Sequence, residues 1–269
     1  MERNIISIVT PCFNEEDNVG ELISQIRKVM HSLSKYEYEH IFIDNASEDK
    51  TVELLKIEAG KDKRIKIIIN SRNFGYIRSS AHGMFQATGD AVVLVAADLQ
   101  DPPEMIVEFL EKWKDGNDSV IGVKTTSDEN KWMYGIRSIY YRILSKMSET
   151  PIIEHFMGFG LYDKKVISAI KKINYSYPFF RGLLPEVGFK IYEIKYNQPI
   201  RKKGVTKYNF YNLYDIGILG IISNSKVPLR LAVFTGAFFS AFSALVGLGY
   251  FLRKIIYWDS MELGIAPLI

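Results

Sequence analysis

An uncharged run near the carboxyl end constrains the fold of this chain most. The 22 residues from Leu231 to Leu252 contain no charged side chain, and a helix of that length, at about 1.5 Å per residue, crosses about 30 Å of hydrocarbon. We therefore predict a transmembrane helix, with a buried core helix as the alternative. Basic residues are frequent before the run and sparse after it, so the positive-inside rule places the amino-terminal part in the cytoplasm. The basic residues that precede the run are Arg201, Lys202, Lys203, Lys207, Lys226 and Arg230.

The membrane run divides the chain into three predicted parts. Residues 1–207 are long enough to form one large cytoplasmic domain. Residues 208–225 are aromatic and then apolar, with a single charge at Asp215, so we expect an amphipathic interfacial helix over 208–228; a core helix of the soluble part is the alternative. Residues 229–269 form the membrane region, with the full span at about 231–252. The apolar end Gly264–Ile269 indicates a second span in a truncated product.

Composition narrows the class of protein. A formal charge of +3 is too small to indicate nucleic-acid binding, and the single cysteine, Cys12, excludes an internal disulfide. A reducing compartment is therefore the simpler expectation. No charged and then apolar leader precedes Ile5, so we do not expect a cleaved signal peptide.

Short apolar strands alternate with amphipathic helices along the first part of the chain. This alternation is typical of βαβ units, and it predicts an α/β domain with a mostly parallel central sheet. The predicted strands are 5–10, 40–43, 65–69 and 119–123, with a further strand before Asp98; the predicted helices are 19–33, 77–88, 105–114 and 132–147, with another that opens at residues 49–51.

The strand before Asp98 carries the strongest functional signal. An apolar run that starts at Ala91 stops at Asp98, Gln100 and Asp101, and ligands of open α/β sheets bind at the carboxyl ends of the strands. Hard oxygen ligands at that edge suit Mg²⁺ or Mn²⁺ bridging a diphosphate. The alternative is an acidic turn in which Asp101 caps the next helix and Pro102 occupies its first position.

Five segments, taken together and in order, resemble family 2 glycosyltransferases of the type that charges a polyprenyl phosphate with a sugar. Dolichol-phosphate mannose synthases and bactoprenol glucosyltransferases represent this type. The segments are PCFNEE at 11–16, IDNASED at 43–49, RNFG at 72–75, GD at 89–90 and ADLQDPPE at 97–104.

The resemblance implies a Rossmann-like GT-A nucleotide-sugar transferase domain in a protein of the cell (inner) membrane. The implied reaction is the inverting transfer of a hexose from a nucleotide sugar, which we expect to be UDP-linked, to a polyprenyl phosphate at the cytoplasmic face. Mg²⁺ or Mn²⁺ is the implied cofactor. The donor, the lipid acceptor and the membrane are the implied partners, without nucleic acid, and small residues in the span permit a homo-oligomer.

The resemblance also implies roles for individual residues. Asp44 matches the carboxylate that contacts the donor's base, and Asp98 and Gln100 match the metal ligands. The implied catalytic residues are Asp98, Arg201 and Lys207. The implied acceptor-phosphate ligands are Arg201, Lys202, Thr206 and Lys207. The implied donor-binding residues are Pro11, Phe13, Asn14, Glu15, Asp44, Ser47, Gly75, Asp98, Gln100, Lys124 and Arg137.

Several positions depart from the family's pattern. Ala96 stands where many relatives have the first Asp of an Asp-x-Asp metal motif, and Asn45 replaces the second Asp of a pair. Gly158 and Gly160 stand where the bactoprenol type often has Asp and Arg, in a segment that we expect to form a loop lining the acceptor channel. The segment therefore offers no general base.

The missing base favours a phosphate acceptor. A hydroxyl acceptor requires a base within hydrogen-bond reach, whereas a phosphate monoester, with a second pKa of about 6, is largely dianionic at neutral pH. Neighbouring cations are then sufficient to position the acceptor. The alternative is that the basic cluster at 201–207 only sets the membrane topology or binds anionic lipid. Glu186 is the best fallback base if the acceptor is a hydroxyl.

Two other functions are compatible with the sequence. One is transfer to a glycolipid or glycan hydroxyl; polymerisation is disfavoured because Gln198–Arg201 is followed by Lys202 rather than by Trp. The other is a non-catalytic nucleotide-sugar-binding membrane scaffold, which the substitutions at Ala96, Asn45 and Gly158 favour.

Overall fold

The computed structural model describes residues 4–125, 155–175, 177–199 and 225–258, together with positions 153 and 218. The chain divides into two compact units, Met1–Asn224 and Ser225–Ile269. The helix predicted at 132–147, most of that predicted at 208–228 and the second span predicted beyond 258 lie outside the described residues. The proposed domain boundaries at 207 and 228 stay predictions.

Strands and helices alternate in the first unit, as the sequence predicts. Strand 65–69 and helix 105–114 have the predicted bounds, and the other predicted elements that the structure describes differ at one or both ends. The strands are β1 (Ile5–Cys12), β2 (Glu37–Asp44), β3 (Ile65–Ile69), β4 (Ala91–Leu94), β5 (Ser119–Lys124), β6 (Phe156–Asp163) and β7 (Ile191–Tyr196); the helices are α1 (Val19–Ser32), α2 (Thr51–Lys61), α3 (Tyr76–Gln86), α4 (Met105–Lys114), α5 (Lys164–Ile173) and α6 (Phe180–Glu186).

The seven described strands form one sheet in the order β3-β2-β1-β4-β6-β5-β7. Only β6 among them is antiparallel to its neighbours, β4 and β5; the other pairs are parallel. The carboxyl ends of the remaining six strands therefore share one edge. The order reverses between β1 and β4, and such a switch point opens a crevice at the carboxyl edge of the sheet.

Helices cover both faces of the sheet. Side chains of α1, α2 and α4, such as Leu22, Leu55 and Phe109, belong to one buried cluster. Side chains of α3 and α5, such as Met84 and Ile167, belong to the other. Because both faces are buried, the central strands are continuously apolar, which is the pattern that identifies them in the sequence.

Pro11 lies within β1, although we predicted that the strand ends before it. Pairing with β4 stops at Val9, and Val9 also accepts the last bond on that side, from Val95 N–H at 3.0 Å. Backbone groups of alternate residues in a strand point to the same neighbour, so the nitrogen of Pro11, like the groups of Val9, points towards β4. Pairing with β4 has already ended there, so the missing N–H of proline is tolerated.

The described part of the second unit is helix α7 (Val227–Ile256), four residues longer at each end than the predicted span. It has a mean hydropathy of 2.0 over its most apolar window, and that window is not buried. A core helix would bury its apolar side chains, so this helix is a candidate membrane span.

Candidate functional site

The loops that follow β1 and β2 are joined by hydrogen bonds. Asn14 N–H donates to Ser47 Oγ at 2.8 Å, and Glu48 N–H donates to Asn14 Oδ1 at 2.7 Å. Asn14 has a φ of 53°, a left-handed conformation that asparagine adopts more readily than most residues. Ser47 in turn donates through Oγ and N–H to the Asp44 carboxylate, at 2.5 and 2.9 Å. The predicted donor residues Asn14, Asp44 and Ser47 therefore form one connected group at the carboxyl edge.

Glu15 is held by the start of α2 and by its own loop. Its N–H donates to Thr51 Oγ1 at 2.8 Å, and its carboxylate accepts from Asn18 Nδ2 at 2.6 Å. The neighbouring Phe13 is half-buried. The structure thus gives Glu15 a structural role in shaping the turn, and its contact with the donor stays a prediction.

Asn45 organises the loop that follows β3. Its Oδ1 accepts from Asn70 Nδ2 at 3.1 Å and from Phe74 N–H at 3.0 Å, while its Nδ2 donates to Asn73 Oδ1 at 2.8 Å. An aspartate could not make this donation. The substitution that departs from the family's pattern therefore has a local structural reason.

Gly75 begins helix α3 at the end of the same loop. Its φ is 81°, which favours glycine because other residues would be strained there. Its N–H donates to Asn73 Oδ1 at 2.8 Å, so the predicted donor-binding glycine is fixed to the Asn45 network.

The segment that follows β4, residues 96–101, is called the β4 loop below. Asp98 and Gln100 are half-buried within it, and Gln100 N–H donates to Asp98 Oδ1 at 3.2 Å. Leu99 between them has a φ of 59°. The structure brings both predicted metal ligands to the carboxyl edge of β4, next to the crevice between β1 and β4.

Asp101 does not cap the following helix, so that alternative is wrong. Helix α4 begins at Met105, with Glu104 at the N-cap and no side-chain cap. The Asp101 carboxylate instead accepts from Ala96 N–H at 3.2 Å and from the Tyr196 hydroxyl at 3.0 Å. Burial raises the pKa of Asp101 to about 6, against the opposing effect of the Lys124 charge.

Lys124 reaches the same edge of the sheet. It is the last residue of β5 and is paired with Tyr196, the last residue of β7, and its charge acts on Asp101. Its predicted role near the donor phosphates stays a prediction. The other predicted cations and the predicted hydroxyl, Arg137, Arg201, Lys202, Thr206 and Lys207, lie outside the described residues.

The Gly158–Asp163 segment belongs to β6 and is not the predicted loop. Gly158 has a φ of 103°, and a Cβ there would lie 3.0 Å from Leu94 Cδ2; at Gly160 it would lie 2.6 Å from the carbonyl oxygen of Val120. Strands β4 and β5 approach these two positions so closely that a side chain larger than glycine would collide with them. Gly158 also lines a largely apolar pocket of about 550 Å³, open mouth included, with Tyr76, Leu94, Phe156, Met157 and Phe180.

Glu186, the fallback base, lies at the end of α6. Helix α6 starts at the apolar pocket beside Leu94 and ends shortly before the amino end of β7. The exposed Glu186 carboxylate accepts from the Tyr175 hydroxyl at 3.2 Å. Its role as a base stays a prediction.

The possible metal ligands at the carboxyl edge suit a cation that is coordinated mainly by the phosphates of the substrate. No group of three or more His, Cys, Asp or Glu side chains that could hold a metal occurs among the described residues. Mg²⁺ typically takes one or two protein carboxylates, and substrate phosphates and water complete its coordination. The Asp98 carboxylate and the Gln100 amide oxygen fit that pattern.

Comparison with known families identifies the class of protein. Residues 7–171 match the model described as Glycosyl transferase family 2. The chain belongs to this family. The uncharacterized glycosyltransferase YkcC of Bacillus subtilis is 38% identical over 89% of this chain and 75% of its own length. The bactoprenol glucosyl transferase of Shigella phage SfX is 31% identical over 96% of this chain and 84% of its own length.

Solved structures support the GT-A fold of this family 2 protein. Glucosyl-3-phosphoglycerate synthase of Mycobacterium tuberculosis, in complex with Mn²⁺, UDP and phosphoglyceric acid, aligns with a TM-score of 0.54 at 17% identity, over 81% of this chain and 76% of that one. The mannosyltransferase PcManGT of Pyrobaculum calidifontis, with GDP-Man and Mn²⁺, aligns with a TM-score of 0.50 at 16% identity, over 94% and 81%. At these identities the likeness establishes the fold alone.

Two features of the site were missed in the sequence. One is the bond between Tyr196 and Asp101, which are 95 residues apart. The other is the pairing of Asn45 with Asn73, for which the amide side chains of both loops were an available signal.

Proposed function

We propose that this family 2 protein is an inverting hexosyltransferase that moves a hexose from a nucleotide sugar, UDP-linked in our expectation, to a polyprenyl phosphate at the cytoplasmic membrane face. One structural observation carries the proposal: three carboxylates of the edge are already engaged by neighbouring side chains. Asp44 accepts from Ser47, Glu15 from Asn18 and Asp101 from Tyr196. An acceptor that needs no general base fits such an edge. The similarity to bactoprenol glucosyl transferases over most of the chain supports the same acceptor class.

The reaction then needs no proton transfer at the nucleophile. A dianionic phosphate oxygen attacks the anomeric carbon from the face opposite the nucleoside diphosphate. The new carbon–oxygen bond forms as the bond to the diphosphate breaks, and the electron pair leaves with the diphosphate. The products are a hexosyl phospholipid of inverted anomeric configuration and a nucleoside diphosphate.

The donor is held from two sides. The group Asn14, Asp44 and Ser47 would hold the nucleoside, and Asp98 and Gln100 would hold Mg²⁺ or Mn²⁺. A divalent cation there would neutralise charge on the departing diphosphate, a type of electrostatic stabilisation that contributes strongly to such reactions. Lys124, at the end of β5, adds a fixed positive charge on the same side.

The acceptor phosphate is assigned to the basic segment that follows β7. Pro199 accepts from Gln100 Nε2 at 3.4 Å, and Arg201 is two residues further along the chain. The described chain therefore reaches the β4 loop at Pro199, and Arg201, Lys202, Thr206 and Lys207 follow shortly after it in the sequence. Its cations would place the lipid phosphate without supplying or removing a proton, and α7 would anchor the protein in the bilayer that holds the lipid.

A screen of donors against one acceptor tests this proposal. The full-length protein in detergent is given polyprenyl phosphate, MnCl₂ and each of several UDP- and GDP-linked hexoses, and lipid products are detected by mass spectrometry. We expect a hexosylated lipid phosphate with at least one donor. Binding of UDP with Mn²⁺ without product from any donor would contradict the proposal and favour a non-catalytic scaffold, which Ala96 in the β4 loop also favours.

A further inference from the structure

The β4 loop is closed into a ring by its own last residue. Asp101 Oδ2 accepts from the N–H of Ala96, the first residue of the loop, at 3.2 Å. Asp98 and Gln100 lie between these two ends, and Leu99 adopts a left-handed conformation with a φ of 59°. The direction in which Asp98 and Gln100 project thus depends on how firmly Asp101 is held.

Tyr196 holds the other oxygen of Asp101 from a fixed position. Its hydroxyl donates to Asp101 Oδ1 at 3.0 Å, and the residue is only 8% exposed. The ring packs edge-on against Phe159, with centroids 5.5 Å apart. It also lies so close to Gly122 that a Cβ there would be 3.0 Å from Tyr196 Cε1. The packing leaves the hydroxyl little freedom to move.

A second bond joins the same two elements. Gln100 Nε2 donates to Pro199 O at 3.4 Å, three residues beyond Tyr196. The carbonyl of Tyr196 accepts from Thr125 N–H at 3.0 Å and from Thr125 Oγ1 at 3.1 Å. The end of β7 is therefore fixed to the end of β5 and to the β4 loop together.

A buried carboxylate is an unfavourable way to fill this space. Removing a charge from water is costly, and apolar side chains of similar volume often give equal or greater stability. What the Asp101–Tyr196 pair supplies is a defined orientation, because each oxygen of the carboxylate has one donor in one direction. The pair therefore contributes geometry more than stability.

We infer that Asp101 and Tyr196 are positioning residues, which hold the β4 loop so that Asp98 and Gln100 face the metal–diphosphate and which tie that loop to the strand leading to the basic segment at 201–207. The inference rests on the proposed function only in taking Asp98 and Gln100 as the ligands of the metal–diphosphate. Neither Asp101 nor Tyr196 contacts the donor in this scheme. Their effect is transmitted through the ring of the β4 loop.

Nucleotide binding with and without metal separates positioning from general support of the fold. Tyr196→Phe removes the hydroxyl and keeps the packed ring, and Tyr192→Phe, at an exposed position of the same strand, is the matched control. Full-length variants in detergent are titrated with UDP, or with GDP if the wild type binds only GDP, in MnCl₂ and in EDTA. We expect Tyr196→Phe to weaken binding about tenfold in MnCl₂, as for the loss of a hydrogen bond to a charged group. In EDTA its affinity should equal that of the control, because the Asn14–Ser47–Asp44 group is untouched.

A double-mutant cycle extends the test to Asp101. Asp101→Asn retains an oxygen for Ala96 N–H and an amide that can donate to the Tyr196 oxygen, so it should lose less than Tyr196→Phe in metal-dependent affinity. The losses in the double variant should not add, because both changes act on one bond.

Three results would overturn the inference. They are a Tyr196→Phe variant that matches Tyr192→Phe in MnCl₂, an equal loss in MnCl₂ and EDTA, and a wild-type affinity that does not respond to Mn²⁺. The binding readout does not involve the acceptor. Wild-type protein that binds the nucleotide with metal but transfers no sugar to polyprenyl phosphate would therefore contradict the proposed function alone.

Discussion

The main-chain N–H of Asn14 donates to Oγ of Ser47 at 2.8 Å, although the two residues follow different strands. Ser47 Oγ donates in turn to the Asp44 carboxylate, so hydrogen bonds join the loops after β1 and β2. The proposed nucleoside-binding group is therefore held together by bonds within the protein itself.

Ser47→Ala should weaken binding of the donor nucleotide about tenfold. The change removes the acceptor of the Asn14 N–H bond and one of the two bonds that Ser47 donates to Asp44, each worth about 1 kcal/mol. Calorimetric titration with UDP measures the effect. Ser32→Ala is the control, because the Ser32 hydroxyl donates to Val29 O at the end of α1, and it should retain wild-type affinity. Equal affinities for the two variants would refute the linked-loop interpretation.

Asp98→Ala should abolish sugar transfer, because the remaining amide of Gln100 cannot replace a carboxylate as metal ligand. Product formation from donor and polyprenyl phosphate is followed in detergent. Asp115→Ala is the control, since Asp115 is exposed at the end of α4 and pairs with Lys112 at 3.2 Å. Undiminished activity of Asp98→Ala would rule out its assigned role.

Asn45→Asp should destabilise the protein, although the resemblance to the family would suggest aspartate at this position. The new carboxylate would face the Asn73 oxygen that Asn45 now donates to, in a site where Asn45 is 5% exposed. An unmet buried acceptor costs about 1–3 kcal/mol, which lowers the melting temperature by several degrees. The same change at the exposed Asn4, which precedes β1, should be neutral, and equal melting temperatures for both variants would show that the Asn45 network is dispensable.

Acid should destabilise the fold partly through His40. Burial lowers the pKa of His40 to about 3, beside Thr10 and Phe42. Between pH 3 and about 6.5 the unfolded chain binds a proton at this residue and the native chain does not, so stability falls as the pH falls through this window. The loss at pH 5 is about 2 kcal/mol.

His40→Gln removes this titration and keeps an amide that can reach Thr10. Its melting temperature should fall less than that of the wild type between pH 7 and pH 5. Parallel pH profiles of the two proteins would show that His40 is not the group responsible.

The orientation of α7 can be measured with single cysteines. Burial raises the pKa of the Cys12 thiol well above its usual value, and this cysteine is the only one in the chain, so the wild type should not react with maleimides. A membrane-impermeant maleimide applied to intact cells should label Trp258→Cys, after the helix, and not Lys226→Cys, before it. Labelling of Lys226→Cys instead would reverse the proposed topology.

The sequence predicts those parts of the fold that depend on local patterns. Helix Met105–Lys114 and strand Ile65–Ile69 have the predicted bounds, because the helix has an amphipathic pattern and the strand is a short apolar run between Arg64 and Asn70. The position of Asp98 after a buried strand follows from the same kind of signal.

Long-range contacts decide the parts that were not predicted. Asp101 before two prolines has the local appearance of a helix cap, and only its bond to Tyr196, 95 residues away, shows its actual role. The Gly158–Asp163 segment reads as a loop because its glycines suggest a turn, whereas they are required where β6 packs closely on Leu94 and Val120.

Competition between two acceptors tests the central claim most directly. The full-length protein, with the donor that it uses, is given polyprenyl phosphate and the corresponding free polyprenol, and the glycosylated lipids are quantified by mass spectrometry. We predict product from the phosphate alone, with a rate that falls below about pH 6 as the phosphate takes up its second proton. Glycosylation of the neutral alcohol alone would contradict the account, because that acceptor requires a base.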